Sequence, residues 1–351
     1  MRTRKHLLMI LSALLCLALV ITACGGSNSN SGSSSSNASG SGSSAGSDSG
    51  SNSGSSGSGQ KKVVGVLVSD FNSQFLVYMM DSMKEEAKKY PDFEFVYVDA
   101  QYDSGIQMNQ VENFLAQKVD ALIYNPVDTE AAKPVVDMIE QAGIPLIAVN
   151  RKAPNTDNIE KYAYVGSNAV ESGELLMEAM AEVLGGKGDI VELQGFYGHE
   201  PQIDRHQGIL NVLEKYPDIK IIAEDSGEWN RELGMQKMEN WLQSNLRGKF
   251  VGVVAHNDEM AIGAINALED AGMLDQVAVG SIDGTPEALQ LLKEGKLKAT
   301  IFQDPFNQGS KSIEVAVKAV NGESIEREYI IPYLRVTPEE ADQYLALYGV
   351  Q

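Results

Sequence analysis

From residue 63 onward the chain repeats one pattern, a short apolar run rich in β-branched residues followed by a longer stretch with apolar residues every three to four positions. The short runs cover 63–69, 93–98, 121–125, 145–150, 162–166, 190–194, 219–223, 250–256, 277–282 and 298–302. Helical periodicity fills 74–90, 106–117, 129–142, 169–184, 203–216, 231–246, 259–271 and 286–294. Apolar runs without polar alternation suit strands covered on both faces. Strand–helix alternation then dictates right-handed βαβ units and parallel sheets. So many units exceed one comfortable sheet. The expectation is an α/β chain of two doubly wound parallel-sheet domains.

The segment ahead of this pattern is of another kind. Arg2, Arg4 and Lys5 precede an apolar run from Leu7 to Ile21, which ends in Ile21-Thr22-Ala23-Cys24. A basic start, an apolar middle and small residues before a cleavage point make a secretory signal. The apolar run falls short of the roughly 20 residues that a membrane span needs. Cys24 directly after small residues resembles the lipobox of bacterial lipoproteins, which implies a signal over 1–23 and an acylated cysteine at 24. The Ser/Gly/Asn tract that follows cannot bury enough apolar surface to offset its chain entropy. Residues 24–60 therefore read as a lipidated cysteine and a tether, reaching roughly 30–36 Å as a flexible coil. The expected location is outside the cytoplasm, attached to a membrane by the lipid alone. A G-x-S-x-G match at 42–46 lies inside this tract. That pattern has hydrolase meaning only at a strand-to-helix elbow.

Net charge is −20, and −23 once the three basic residues of the signal are gone. Such a surface disfavours nucleic acid and anionic lipid. The two cysteines, Cys16 and Cys24, both lie at or before the cleavage point. The folded region thus has no thiol chemistry, disulfide or cysteine-bound metal. His199, His206 and His256 show no metal-ligand spacing. No cofactor and no metal are expected.

Ligands of open α/β sheets bind outside the carboxyl ends of the strands. Those positions hold Asp70 to Phe75, Asn125, Asn150-Arg151, Phe196 to Arg205, Trp229, Asn257-Asp258, Asp283 and Gln303. Amides, carboxylates, two arginines and aromatics recur there. A sugar hydroxyl both donates and accepts, which an amide, a carboxylate and a guanidinium fork together satisfy. Aromatic faces cover the C–H faces of a sugar ring. Each residue also has a plainer reading. Asn125, before Pro126, suits a turn or cap; Trp229 suits a core; Arg151 and Arg205 suit surface ion pairs. Coincidence at one rim is what favours a site.

Val64 to Ser69, Tyr124-Asn125-Pro126-Val127-Asp128, Glu192 to Gly195, His256 to Ala264 and Asp283-Gly284-Thr285-Pro286 resemble the periplasmic ribose-binding proteins. Tyr164 to Ser167, Glu171-Ser172-Gly173, Gly198-His199, Trp229 and Asn257-Asp258 with Met260-Ala261 resemble the galactose/glucose-binding proteins. The likeness runs from about Val63 to beyond Val336. It implies a type I solute-binding protein, monomeric, feeding the permease of an ABC importer by hinge closure on a monosaccharide. The ribose-like pattern nominates Phe75, Asn125, Arg151, Arg205, Asn257, Asp283 and Gln303 as contacts. The galactose-like pattern shares four of these and adds Asn150, His199 and Trp229, with Phe75 and Trp229 on opposite ring faces. Ser73, Leu76 and Asn150 stand where ribose binders carry Asn, Phe and Asp, and Pro201 where galactose binders carry Asp. The galactose group's calcium loop is missing, because Leu184 to Asp189 runs straight through.

The resemblance also implies three crossings between domains, near 164–168, 303–305 and 331–332. One domain then comprises 61–166 plus 304–331 and the other 167–303 plus 332–351. The ligand is expected to be of glucose/galactose or ribose type, with inositol or a sugar-like signal as the alternative in a sensory role. An enzyme would need two carboxylates in fixed roles, of which Asp283 is one candidate; Asp258 reads rather as a helix cap. A repressor of similar fold would begin with a DNA-binding helix-turn-helix, where this chain has a signal.

Overall fold

The structure, a computed structural model, describes residues 61–350. The signal, Cys24 and the tether lie outside the described residues. The chain begins β1 (Lys62–Val68), α1 (Gln74–Ala87), β2 (Phe93–Asp99), α2 (Ser104–Gln117), β3 (Ala121–Tyr124), α3 (Ala132–Ala142), β4 (Leu146–Val149) and β5 (Tyr162–Gly166). It continues α4 (Ala169–Val183), β6 (Gly188–Gln194), α5 (Glu200–Leu213), β7 (Ile219–Ser226), α6 (Arg231–Gln243) and β8 (Gly252–Ala255). Then come α7 (Asp258–Asp270), β9 (Ala278–Asp283), α8 (Pro286–Lys293), β10 (Ala299–Phe302) and α9 (Pro305–Val320). It ends β11 (Glu328–Ile330), β12 (Leu334–Val336) and α10 (Ala341–Leu347).

Two six-stranded sheets result, in the orders β11-β5-β4-β3-β1-β2 and β12-β10-β9-β8-β6-β7. Each is doubly wound. In β1, Val64, Val66 and Val68 face the cluster formed with α1 and α9, while Leu67 faces the cluster under α2 and α3. Both faces of that strand are buried, which is why its sequence shows no alternation. In the second lobe α6 and α7 cover one face and α4 and α5 the other.

Every expected apolar run falls on a strand, with ends moved by a few residues. The strands β11 and β12 are additional to the expected set. One correction follows from them: the second sheet is mixed, because β12 pairs antiparallel with β10. The reason is topological. β11 runs parallel to β5, so the chain leaves the first lobe at its carboxyl end. It enters the second lobe from that same side and must run backwards. The chain passes between sheets after β5, after β10 and after β11, so the carboxyl ends of both sheets border three connecting segments.

Candidate ligand-binding site

One cavity lies between the two sheets at their carboxyl ends. Phe75, Tyr102, Asn150 and Arg151 line it from the first lobe, and Arg205, Trp229, Asn257 and Asp283 from the second. Ser167, Gln303 and Tyr333, from the three connecting segments, and Ser73, ahead of α1, complete the polar lining. Counted together with its open mouth, the space between these side chains is about 490 Å³.

Local backbone geometry aims these side chains. Tyr102, Asn150, Trp229 and Asp283 have φ of 54°, 64°, 64° and 129°. Left-handed backbone at non-glycine residues costs about 1–3 kcal/mol each and collects at functional sites. The Trp229 indole lies against Gly195, where a methyl group would stand 2.0 Å from the ring. Trp229 Nε1 donates to His199 Nδ1 at 2.9 Å. Asn257 caps α7 by accepting from Met260 N, and its Nδ2 donates to the Trp229 carbonyl at 3.1 Å. One amide N–H of Asn257 is left for the cavity.

Arg205 is buried and held at several points. It donates to the His256 carbonyl, to Gln303 Oε1 at 2.9 Å and to Tyr333 Oη at 3.1 Å. Its guanidinium carbon lies 5.6 Å from the Trp229 ring centroid. Arg151 donates to the Pro126 carbonyl at 2.9 Å and lies 5.9 Å over Tyr102. The Nε of each arginine has no protein acceptor. Asp283 is 3.9 Å from Arg205. Burial raises its carboxyl well above the ordinary range despite that guanidinium.

Eight of the ten expected contact residues border this cavity. Asn125 does not. Its Oδ1 accepts from Ser69 N and Oγ, and its Nδ2 donates to the Val149 carbonyl. Fully buried between β1 and β4, it ties strand ends together, a structural role that is neither the turn nor the cap expected of it. His199 does not border the cavity either, and stands behind Trp229 as the acceptor of its indole N–H. The helix-capping reading of Asp258 is also corrected, since the cap is Asn257. Asp258 instead accepts from Ser281 Oγ, Thr285 N and Oγ1 and Thr300 Oγ1, pinning the turn that follows Asp283.

Tyr102, Ser167 and Tyr333 were missing from the expected contacts. Tyr102 follows the second strand, a rim position like the others, in a Gln101-Tyr102-Asp103 turn. Tyr333 has no such signal. It reaches the cavity only because β11 and β12 bring the chain back. Among the described residues, Glu192, His206 and Glu224 form a group with metal-ligand atoms within 4.8 Å of one another. Hydrogen bonds account for it: Glu192 sits between His206 Nδ1 at 2.9 Å and His256 Nε2 at 2.8 Å. Burial opposes ionisation of Glu192, yet the two imidazoles win and lower its pKa to about 2.

Residues 64–324 match the sequence pattern of the periplasmic binding protein domain. An ABC transporter solute-binding protein from Bacillus halodurans, solved with bound myo-inositol, is 48% identical with a TM-score of 0.78, over 83% of this chain and 99% of that one. A putative rhizopine-binding protein of Rhizobium meliloti is 38% identical over 79% of this chain and 90% of its own length. The ribose import binding protein of Bacillus subtilis is 33% identical over 78% of this chain and 87% of its own.

Proposed function

Because this chain belongs to the periplasmic binding protein family, whose members related to it bind solutes rather than transform them, we propose that it captures a neutral six-membered polyol ring. Myo-inositol leads, on the strength of the bound ligand in the Bacillus halodurans protein. A pyranose of glucose/galactose type or ribose follows. The observation that carries the reading is the cavity lining: amides and guanidiniums from both lobes and a carboxylate from the second, with one aromatic from each, Phe75 and Trp229. Aromatic faces would cover the ring C–H bonds. Arg205, Asn257 and Asp283 would hold hydroxyls from one lobe, Asn150 and Arg151 from the other. A ligand bonded to both lobes favours the closed form by its differential affinity for it. The ABC permease would then recognise that closed form.

Thermal melting of the purified protein with a panel of polyols and sugars tests this. A ligand at about 100 times its Kd adds about 2.7 kcal/mol, so myo-inositol is expected to raise Tm by several degrees and to compete with any binding pyranose. No shift with any polyol or sugar would end the proposal. The same reading makes the protein a lipoprotein anchored through Cys24. Cys24→Ser protein is expected to leave the membrane fraction of expressing cells and to lack the lipid mass; unchanged fractionation contradicts the anchor.

A further inference from the structure

The charges lining the cavity do not balance. Its lining carries two guanidiniums, Arg151 from one lobe and Arg205 from the other, and a single carboxylate, Asp283. Both arginines are buried, and each keeps an Nε–H with no acceptor in the protein. Their remaining bonds go to neutral groups, Pro126, His256, Gln303 and Tyr333. Beside Arg151 stands a neutral amide, Asn150, whose Nδ2 donates to Gln308 Oε1 at 3.2 Å. Glu200, whose charge both arginines feel, lies outside the lining; burial, then the charge of Asp204, pushes its pKa up to about 7. The two guanidiniums also feel each other, since Arg205 helps to lower the pKa of Arg151, after burial.

We propose that the cavity rejects cationic polyols, so that a ring bearing an amine in place of one hydroxyl is excluded by Arg151 and Arg205 while the uncharged ring is bound. This rests on the polyol reading above. Hydroxyl and ammonium groups are close in size, so shape does not separate the two rings. A hydroxyl accepts from an arginine N–H; an ammonium donates three times and accepts nothing. The amine therefore offers the two guanidiniums no acceptor and places a like charge in a desolvated space. Unpaired buried polar groups and juxtaposed like charges are the strong discriminators between ligands of one shape.

Titration calorimetry of the full chain at neutral pH, with myo-inositol and with an inositol carrying one amine, tests the proposal. The amine is expected to bind at least about 100-fold more weakly, a floor below the roughly 10⁴–10⁵ by which a site built to hydrogen-bond one group rejects an analogue lacking it. Asn150→Asp places a carboxylate beside Arg151 on a backbone that Asp tolerates, and is expected to narrow the gap at least tenfold. Equal Kd values for both rings in the unmodified protein would overturn the proposal, whether or not the variant folds. So would a folded, inositol-binding Asn150→Asp protein with an unchanged gap. A protein that binds neither ring nor any other polyol defeats the functional reading itself, a result distinct from tight binding of both.

Discussion

Trp229 is held in place by its neighbours. Its indole N–H needs an acceptor, and His199 Nδ1 supplies one at 2.9 Å. That nitrogen accepts only if the imidazole is neutral with its proton on Nε2. Burial, followed by the charge of Arg151, lowers the His199 pKa to about 2. The ring is further fixed between Phe196, at 4.8 Å, and Tyr102, at 6.2 Å. A base whose folded pKa lies below its unfolded value of about 6.5 takes up its proton first in the unfolded chain. Its contribution is complete above that value and is lost as pH falls, by about 1.4 kcal/mol per pH unit. Glu200, raised to about 7, acts in the opposite sense, so only a comparison with a variant isolates His199. His199→Gln keeps an acceptor for the indole and removes the titration. We expect ligand affinity within a few-fold of the parent and a shallower fall of Tm between pH 6.5 and 4.5. An identical Tm slope in the two proteins would show that the imidazole is not held neutral by the fold.

The inner strands were legible because they are covered on both faces, and a run such as Leu-Ile-Ala-Val in β4, buried throughout, has no other economical reading. Two escaped for the converse reason. β11 and β12 are three residues long and largely exposed, so neither apolar content nor period marks them. The helices show a different gap. Glycine in a helix reads as a cost of about 1 kcal/mol against alanine, and nothing local explains Gly173 in α4 or Gly208 in α5. Packing does: a methyl group at 173 would stand 2.1 Å from the Arg205 carbonyl, and one at 208 equally close to the Val170 carbonyl. α6 and α7 repeat the device, with Gly263 against the Arg231 carbonyl at 2.1 Å. Close helix contact sets how Arg205 meets the cavity, and pairwise approach of distant segments leaves no trace in periodicity. The same limit separates Asn125 from Asn150. Both follow a buried strand, yet only Asn150 takes a left-handed backbone and borders the cavity, while Asn125 turns onto Ser69.

Aromatic contacts join the two lobes in two places: Tyr348 of the second lobe packs on Tyr78 and Phe306 of the first, at 4.6 and 5.0 Å between ring centroids, and at the cavity the bridge is made by Tyr102. Its ring belongs to the first lobe, between β2 and α2, and stacks on His199 of the second, the rings 26° apart in plane. Arg151 lies over the same ring. On the hinge-closure reading proposed above, such contacts exist only while the lobes are together, and they add to the stability of the closed form whether or not ligand is present. In a two-state hinge the apparent Kd equals the intrinsic one divided by the closed, competent fraction. An aromatic pair is worth about 0.5–1.5 kcal/mol beyond its buried area, which corresponds to roughly a 2- to 13-fold change in that equilibrium. Tyr102→Ala is therefore expected to weaken ligand binding by about tenfold and to enlarge the unliganded radius of gyration measured by small-angle scattering. At saturating ligand the radius should return to that of the parent, because the ligand then supplies the bridge. The scattering separates this from simple loss of a ligand contact: weaker binding with an unchanged unliganded radius would mean that Tyr102 touches the ligand without biasing the hinge.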